Sequence, residues 1–147
     1  MKIALLNGPN LNLLGTREPT IYGNFTLDDI YEDLKKIIKT NGKQIELFSF
    51  QSNIEGELIN FIHLCPEREI DYVIFNPGAY THTSIALMDA IQSVNCKVIE
   101  VHISNIHQRE NFRQTSYIAK AAIGQISGFG FDSYRLALHY ILEHEKS

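Results

Sequence analysis

The sequence has few cysteines, no long apolar run and no excess of basic residues, and each absence excludes a class of protein. Its two cysteines, Cys65 and Cys96, stand in no C-x-x-C or zinc-binding spacing, so we expect free, buried thiols in a reducing, cytoplasmic setting. No apolar run approaches the length that spans a membrane. The net charge of −4, with no basic stripe or tail, argues against binding to nucleic acid.

The residues required for nucleotide, metal and Schiff-base chemistry are also missing from the places where they would act. Neither a dinucleotide-binding glycine pattern nor a P-loop follows a predicted strand. The six histidines show no ligand spacing with Cys or Asp. Lys2, Lys43 and Lys97 fall at the starts of predicted strands, whereas an imine-forming lysine is expected at a carboxyl end. We therefore expect no nucleotide cofactor, no metal and no Schiff base.

Apolar strands alternate with amphipathic helices along the chain, whose 147 residues are expected to form one domain, residues 1–147. The predicted strands are 2–7, 44–50, 72–76, 98–103 and 123–127. The first predicted helix begins at a capping box of Thr26 and Asp29 and ends at Asn41 and Gly42. This alternation predicts a flavodoxin-like α/β fold with a doubly wound, five-stranded parallel sheet, in which ligands bind at the carboxyl ends of the strands.

The segment 98–113, V-I-E-V-H-I-S-N-I-H-Q-R-E-N-F-R, carries the strongest functional signal. Strand alternation places Glu100, His102 and Ser104 on one face of an otherwise apolar strand. A buried carboxylate and imidazole cost desolvation energy unless they pair, and the pair would hold the ring in one orientation. Arg109 and Arg113 follow four residues apart, on one face if the segment is helical. This pattern indicates an acid–base group beside two cations for an anionic substrate; the structural alternative is a buried salt bridge with surface arginines.

The loop after the first strand, residues 7–23, is long for a connection between strand and helix, and such length is typical of a lid or a binding loop. It contains Arg17 and Tyr22. A nearby cation favours the phenolate and would lower the tyrosine pKa from its ordinary value of about 10, as a tyrosine base at neutral pH requires. A single loop tyrosine more often serves packing, so the pair alone leaves both interpretations open.

The loop after the third strand, N-P-G-A-Y-T-H-T-S at 76–84, offers an amide, a histidine and several hydroxyl groups just before a helix. Such groups suit a hydroxylated or anionic ligand at a helix N-terminus. The alternative is that Thr83 or Ser84 only caps the helix and that His82 is exposed to solvent.

Long motifs in these loops resemble those of the type II 3-dehydroquinate dehydratases, and the resemblance covers nearly the whole chain. The motifs are GPNLNLLGTREPTIYG at 8–23, SNIEGELI at 52–59, NPGAYTHTSIALMDA at 76–90, IEVHISNIHQRENFR at 99–113 and GFGFDSY at 128–134. The resemblance implies a cytoplasmic lyase of the shikimate pathway that removes water from 3-dehydroquinate without an imine or a cofactor.

The resemblance also implies catalytic roles for five residues. Tyr22 would take the proton from C2 of 3-dehydroquinate, and Arg17 would lower the Tyr22 pKa and stabilise the developing charge. Asn10 would position a water that donates a hydrogen bond to the enolate oxygen. His102, held by Glu100, would protonate the departing C1 hydroxyl.

Substrate binding and assembly are implied in the same way. The implied binding residues are Asn76 with the backbone of Ile103 and Ser104 for the carboxylate, and His82 and Arg113 for the ring hydroxyls, beside the second cation, Arg109. Asp89 matches the position from which a neighbouring subunit reaches the site in this family, whose assembly is a dodecamer of four trimers.

Two other classes of function fit the sequence less well. A flavodoxin-like binding or electron-transfer module would use the same sheet, but its first loop would cradle a phosphate with hydroxyls or glycines, whereas this loop holds Pro9 and an apolar 11–14 stretch. A hydrolase with a cysteine or serine nucleophile is also disfavoured; Cys65 and Cys96 both fall near helix ends, away from the carboxyl edge of the sheet.

Overall fold

A parallel sheet forms the centre of the structure, a computed structural model that describes residues 1–16, 18, 20 and 23–145. The sheet has five strands in this described part of the chain: β1 (Lys2–Asn7), β2 (Glu46–Gln51), β3 (Tyr72–Asn76), β4 (Lys97–His102) and β5 (Gly124–Ser127). Their order is β2-β1-β3-β4-β5, and every neighbouring pair is parallel. The strand order confirms the predicted flavodoxin-like, doubly wound sheet.

The helices cross between strands on both faces of this sheet. The α-helices of the described ranges are α1 (Leu27–Asn41), α2 (Glu55–Leu64), α3 (Ile85–Gln92) and α4 (Asp132–His144). The predicted capping box is present: the Asp29 N–H donates to the Thr26 hydroxyl at 3.1 Å, and the Thr26 N–H donates to the Asp29 carboxylate at 2.9 Å. Gly42, with a φ of 79°, ends α1 in the left-handed conformation that glycine adopts readily.

The core consists of two apolar layers, one on each face of the sheet. Alternate residues of β1 divide between them, with Ile3 and Leu5 facing α1 and α4, and Ala4 and Leu6 facing α2 and α3. In β4 the same alternation sends Val98 toward the α2/α3 layer. Glu100 and His102 therefore lie on the α2/α3 face of the sheet.

Several predicted element boundaries differ from the structure by one or two residues. β2 begins at Glu46 rather than at 44, β4 runs one residue earlier than predicted, and β5 begins at Gly124. α3 ends at Gln92, so Val94, which was expected on that helix, packs against the core from the following turn. Each shift lies at an element end, where pairing with a neighbouring strand and capping decide the boundary.

The burial of the two cysteines agrees only in part with expectation. Cys65 is fully buried, whereas Cys96, which was expected to be buried, is half-exposed; both are free thiols. Hydrogen bonding to Cys96, together with burial, raises the pKa of the Cys65 thiol.

Among the helices of the described residues, none is long and apolar enough to cross a membrane.

Candidate active site

The loops after β1 and β3 pack directly against each other at the carboxyl edge of the sheet. The Gly8 N–H donates to the Asn76 carbonyl at 2.8 Å. A Cβ atom added to Gly8 would lie 2.5 Å from the Pro77 carbonyl oxygen, so the two backbones approach this closely only because Gly8 has no side chain. The topological switch between β1 and β3 is thus a narrow cleft rather than an open gap.

A cavity of about 100 Å³ opens at this edge, and three loops contribute to it. Its polar lining residues are Asn10, Asn76, His82, His102, Ser104, Arg109 and Arg113. The described lining contains two arginines and two histidines but no carboxylate and no lysine, so its charge favours an anionic ligand. A larger depression of about 940 Å³ lies at the opposite end of the sheet, where Lys2 and Glu46 begin their strands.

Glu100 and His102 form the predicted buried pair. Glu100 is completely buried, and His102 is 5% exposed. The Nε2 atom of His102 is hydrogen-bonded to the Glu100 carboxylate. Because Nε2 is occupied in this way, the Nδ1 atom is the remaining site on the ring for a proton exchanged with a ligand. The pair therefore has the arrangement that an oriented acid or base requires.

Two side chains that sequence reasoning missed complete the surroundings of Glu100. The Ser116 hydroxyl lies 2.9 Å from both carboxylate oxygens, and the Gln125 amide donates to Oε2 at 2.9 Å. Gln125 stands beside Glu100 in the register of β4 and β5. Its polar character in a strand was the available signal, whereas nothing in the sequence marks Ser116 as a neighbour of Glu100.

Asn76 is held by a second buried network. Its Nδ2 donates to the hydroxyl of Tyr134 at 2.9 Å, and its Oδ1 accepts from the Gly78 N–H at 3.1 Å. The Tyr134 hydroxyl in turn donates to Asn7 Oδ1 at 2.7 Å. Burial raises the pKa of Tyr134, which keeps its proton for this bond. The second hydrogen of the Asn76 amide group has no hydrogen-bond partner among the described residues and is therefore available to a ligand.

His82 is half-buried and lines the cavity, which does not fit the alternative of a side chain that is simply exposed to solvent. Its Nδ1 lies 2.8 Å from the Thr115 carbonyl oxygen, which can only accept, so Nδ1 carries a proton. Burial lowers the pKa of His82, which favours the neutral ring with Nε2 as an acceptor. Helix capping also occurs, because the Ser84 hydroxyl accepts from the Leu87 N–H at 2.9 Å.

Arg109 and Arg113 line the same cavity, although not through a shared helix. The segment forms two short 3₁₀ helices, Ile106–Gln108 and Asn111–Arg113, and Arg109 lies between them. Glu110 pairs with both guanidinium groups, at 3.7 Å from Arg109 Nε and 3.2 Å from Arg113 Nε. Arg109 also reaches the Ser104 hydroxyl at 3.4 Å. The two 3₁₀ turns therefore bring both guanidinium groups to the cavity. Arg109 and Arg113 do not share the face of one helix, which was the arrangement expected if the segment were helical.

The remaining predicted residues that the structure describes fall into three groups. Asn10 has a φ of 68°, donates its N–H to Asn53 Oδ1 at 2.9 Å and lines the cavity. Ile103 and Ser104 directly follow the end of β4 and line the cavity. Asp89 is exposed on α3 and is not part of the lining.

Arg17 and Tyr22, the predicted activating cation and base, lie outside the described residues. Within the described ranges, no group of three or more His, Cys, Asp or Glu side chains could hold a metal ion.

A doubly wound sheet with a carboxylate–imidazole pair and two arginines at its carboxyl edge is the arrangement of an α/β protein with a candidate acid–base site. The family model described as "Dehydroquinase class II" matches residues 1–142. The chain therefore belongs to the class II dehydroquinase family and is a hydro-lyase.

Individual relatives cover almost the whole chain. The protein named 3-dehydroquinate dehydratase in Geotalea daltonii is 54% identical over 146 residues, which is 99% of either chain. The protein of the same name in Carboxydothermus hydrogenoformans is 53% identical over 146 residues, 99% of this chain and 93% of that one. The crystal structure of type II dehydroquinase from Butyrivibrio crossotus has a TM-score of 0.91 and 43% identity, with 97% of each chain covered.

Proposed function

We propose that this chain converts 3-dehydroquinate to 3-dehydroshikimate in the shikimate pathway by anti elimination of water through an enolate. The observation that carries the proposal is the buried Glu100–His102 pair in a cavity with two arginines and no carboxylate in its described lining. Family membership and the names of the relatives support the choice of substrate. The flavodoxin-like electron-transfer alternative is not favoured by any of these observations.

In this mechanism the two proton transfers occur on opposite faces of the substrate ring. Tyr22, as the phenolate, takes a proton from C2, and the electrons of that bond move toward the C3 ketone to give an enolate. Asn10, which lines the cavity, positions the water that stabilises the enolate oxygen. The enolate then re-forms the ketone as the C1–C2 double bond forms and the C1–oxygen bond breaks.

His102 completes the elimination by protonating the departing C1 hydroxyl, which leaves as water. Its Nδ1 is the atom for this step because Nε2 is held by Glu100. The substrate carboxylate binds Asn76 and the backbone of Ile103 and Ser104 at the end of β4. His82, neutral with Nε2 as an acceptor, receives a hydrogen bond from a ring hydroxyl, and Arg113 donates to another.

The activity is tested by adding 3-dehydroquinate and following the ultraviolet absorbance of the conjugated enone carboxylate. We expect turnover by the untreated protein and the same rate after incubation with substrate and borohydride, because the described lining holds no lysine for an imine. Absence of the enone signal would contradict the proposed reaction. Inactivation by borohydride would retain the reaction and reject the enolate route.

Arg17→Ala should lower kcat by about tenfold or more and change KM less, because its charge acts on the phenolate and the transition state. The acid limb of the pH–rate profile should move toward the ordinary tyrosine pKa of about 10, since activity is lost when Tyr22 takes up a proton. Arg68→Ala, at an exposed position after α2, is the control. An altered KM with unchanged kcat would make Arg17 a binding residue only.

We also propose that the active species is a homo-oligomer of trimers, a dodecamer by the resemblance of the motifs. Asp89 supports this, because it is exposed and absent from its own chain's cavity although it belongs to a motif of the site. Its neighbour on the same helical face, Ile85, is 53% exposed, as expected for a surface covered by another subunit. A carboxylate there would contact a cation of the adjacent site, and cyclic symmetry would repeat the contact.

Asp89→Ala should weaken the trimer and lower activity by about tenfold together, because the cation that it contacts loses a partner within a covered surface. Light scattering and kcat/KM measured over a range of protein concentrations test both effects. Asp28→Ala, another exposed aspartate early in a helix, should change neither. A fully active monomer or dimer of the natural sequence would contradict the proposal.

A further inference from the structure

We propose that Ser116 is a positioning residue, whose hydroxyl holds the Glu100 carboxylate and thereby orients the His102 ring for proton transfer. The kinetic consequence of this inference rests on the proposed function. The hydrogen bonds that hold Glu100 and orient His102 do not depend on it.

The direction of the Ser116 hydroxyl proton is decided by its two neighbours. The Ala119 N–H donates to the Ser116 oxygen at 2.9 Å, where the hydroxyl can only accept. The carboxylate of Glu100 lies 2.9 Å away through both of its oxygens and can only accept when ionised. The hydroxyl proton is therefore directed at Glu100, and the bond is of the stronger, charge-assisted kind.

The donors around Glu100 are unevenly divided between its two oxygens. Oε2 accepts from His102 and Gln125 and is near Ser116. Oε1 accepts from Ser116 alone among the described residues. Without the Ser116 hydroxyl, Oε1 of the completely buried Glu100 carboxylate would have no hydrogen-bond donor among the described residues. The carboxylate group could then rotate about the bond that joins it to the side chain. The His102 ring would lose its fixed orientation with it.

The position of Ser116 is maintained by contacts other than its own hydroxyl. The preceding residue accepts a hydrogen bond at its carbonyl oxygen from His82 Nδ1 at 2.8 Å. The following residue, Tyr117, donates its N–H to the Thr81 carbonyl at 3.0 Å. Residues 115–117 therefore connect the loop that bears His82 with Glu100 on β4. A change confined to the Ser116 side chain should leave this segment, and the binding groups on it, in place.

The test compares Ser116→Ala with Ser116→Thr, which keeps the hydroxyl. We expect Ser116→Ala to lower kcat for 3-dehydroquinate by about tenfold, part of the 10²-fold or more that an acid–base group supplies, with KM within about twofold. Ser116→Thr should recover most of the rate. Ser49→Ala, an exposed serine on β2, is the control and should match the natural sequence.

Nitrogen-15 NMR of the histidine rings provides a readout that needs no turnover. The His102 signals, assigned by their loss in His102→Ala, should show a strongly hydrogen-bonded Nε2–H in the natural sequence and in Ser116→Thr, and should shift in Ser116→Ala. The inference is overturned if the His102 signals of Ser116→Ala are unchanged, or if KM and kcat change in equal proportion. If the signals shift but the natural sequence does not turn over 3-dehydroquinate, the proposed function fails and the positioning of His102 stands.

Discussion

Replacement of His102 by alanine is expected to lower kcat by at least about 10²-fold, the usual contribution of a positioned acid or base. His102 lines the cavity, and among the described lining side chains it alone is held by a buried carboxylate, Glu100, which occupies Nε2 and leaves Nδ1 for the leaving group. The loss should appear in kcat, because protonation of the leaving hydroxyl belongs to the transition state and not to ground-state binding.

The stability of this variant must be measured separately, because His102 is buried beside a buried carboxylate. His102→Gln is the better matched change, since its amide can still donate to Glu100 and fills part of the space. We expect thermal unfolding of His102→Gln near that of the natural sequence, together with the same loss of kcat. His139→Ala, an exposed histidine of α4, controls for loss of a histidine as such. Near-full activity in His102→Gln would remove His102 from the mechanism.

Tyr22→Phe should have a similarly large effect, with kcat lower by at least about 10²-fold, because only the phenolic oxygen that takes the C2 proton is removed. The fold should be unaffected, since the aromatic ring is retained. Tyr140→Phe, an exposed tyrosine on α4, is the matched control. Retention of activity would mean that another group abstracts the proton.

Hydrogen exchange at C2 of the substrate in deuterated water distinguishes the two roles. Enolate formation precedes loss of the hydroxyl in the proposed mechanism, so the His102 variant should still exchange the C2 proton while it fails to eliminate water. The Tyr22 variant should lose exchange and elimination together. Exchange that survives in Tyr22→Phe and disappears in His102→Gln would reverse the assignment of base and acid.

The fold could be predicted from the sequence because its signals are local. Alternation of strands and helices implied right-handed crossovers and a parallel sheet, and the structure has that sheet in the flavodoxin order. The same two-residue period placed Glu100 and His102 on one face, and they pair there. Boundaries such as the start of β2 at Glu46 were less predictable, because a strand extends only as far as its neighbour pairs with it.

The conformation of the loop that holds the two arginines could not be predicted from the local sequence pattern. Their spacing of four residues suggested a helical face, whereas two separate 3₁₀ turns bring Arg109 and Arg113 to the cavity. A short loop makes too few local hydrogen bonds to select its own conformation, so packing against the end of β4 and the loop that bears His82 decides it. The two arginines were expected at the site, but the geometry that places them there was not.

The sequence by itself determined the sheet, the paired Glu100 and His102 and the loops that line the cavity, because strand and helix periodicity and motif composition are properties of neighbouring residues. Only the tertiary structure decided which distant side chains surround them: Ser116 and Gln125 on Glu100, and Tyr134 on Asn76. These contacts join residues that are 16 to 58 positions apart. Hydrogen bonds of that range depend on strand register and chain crossing, which no local pattern specifies.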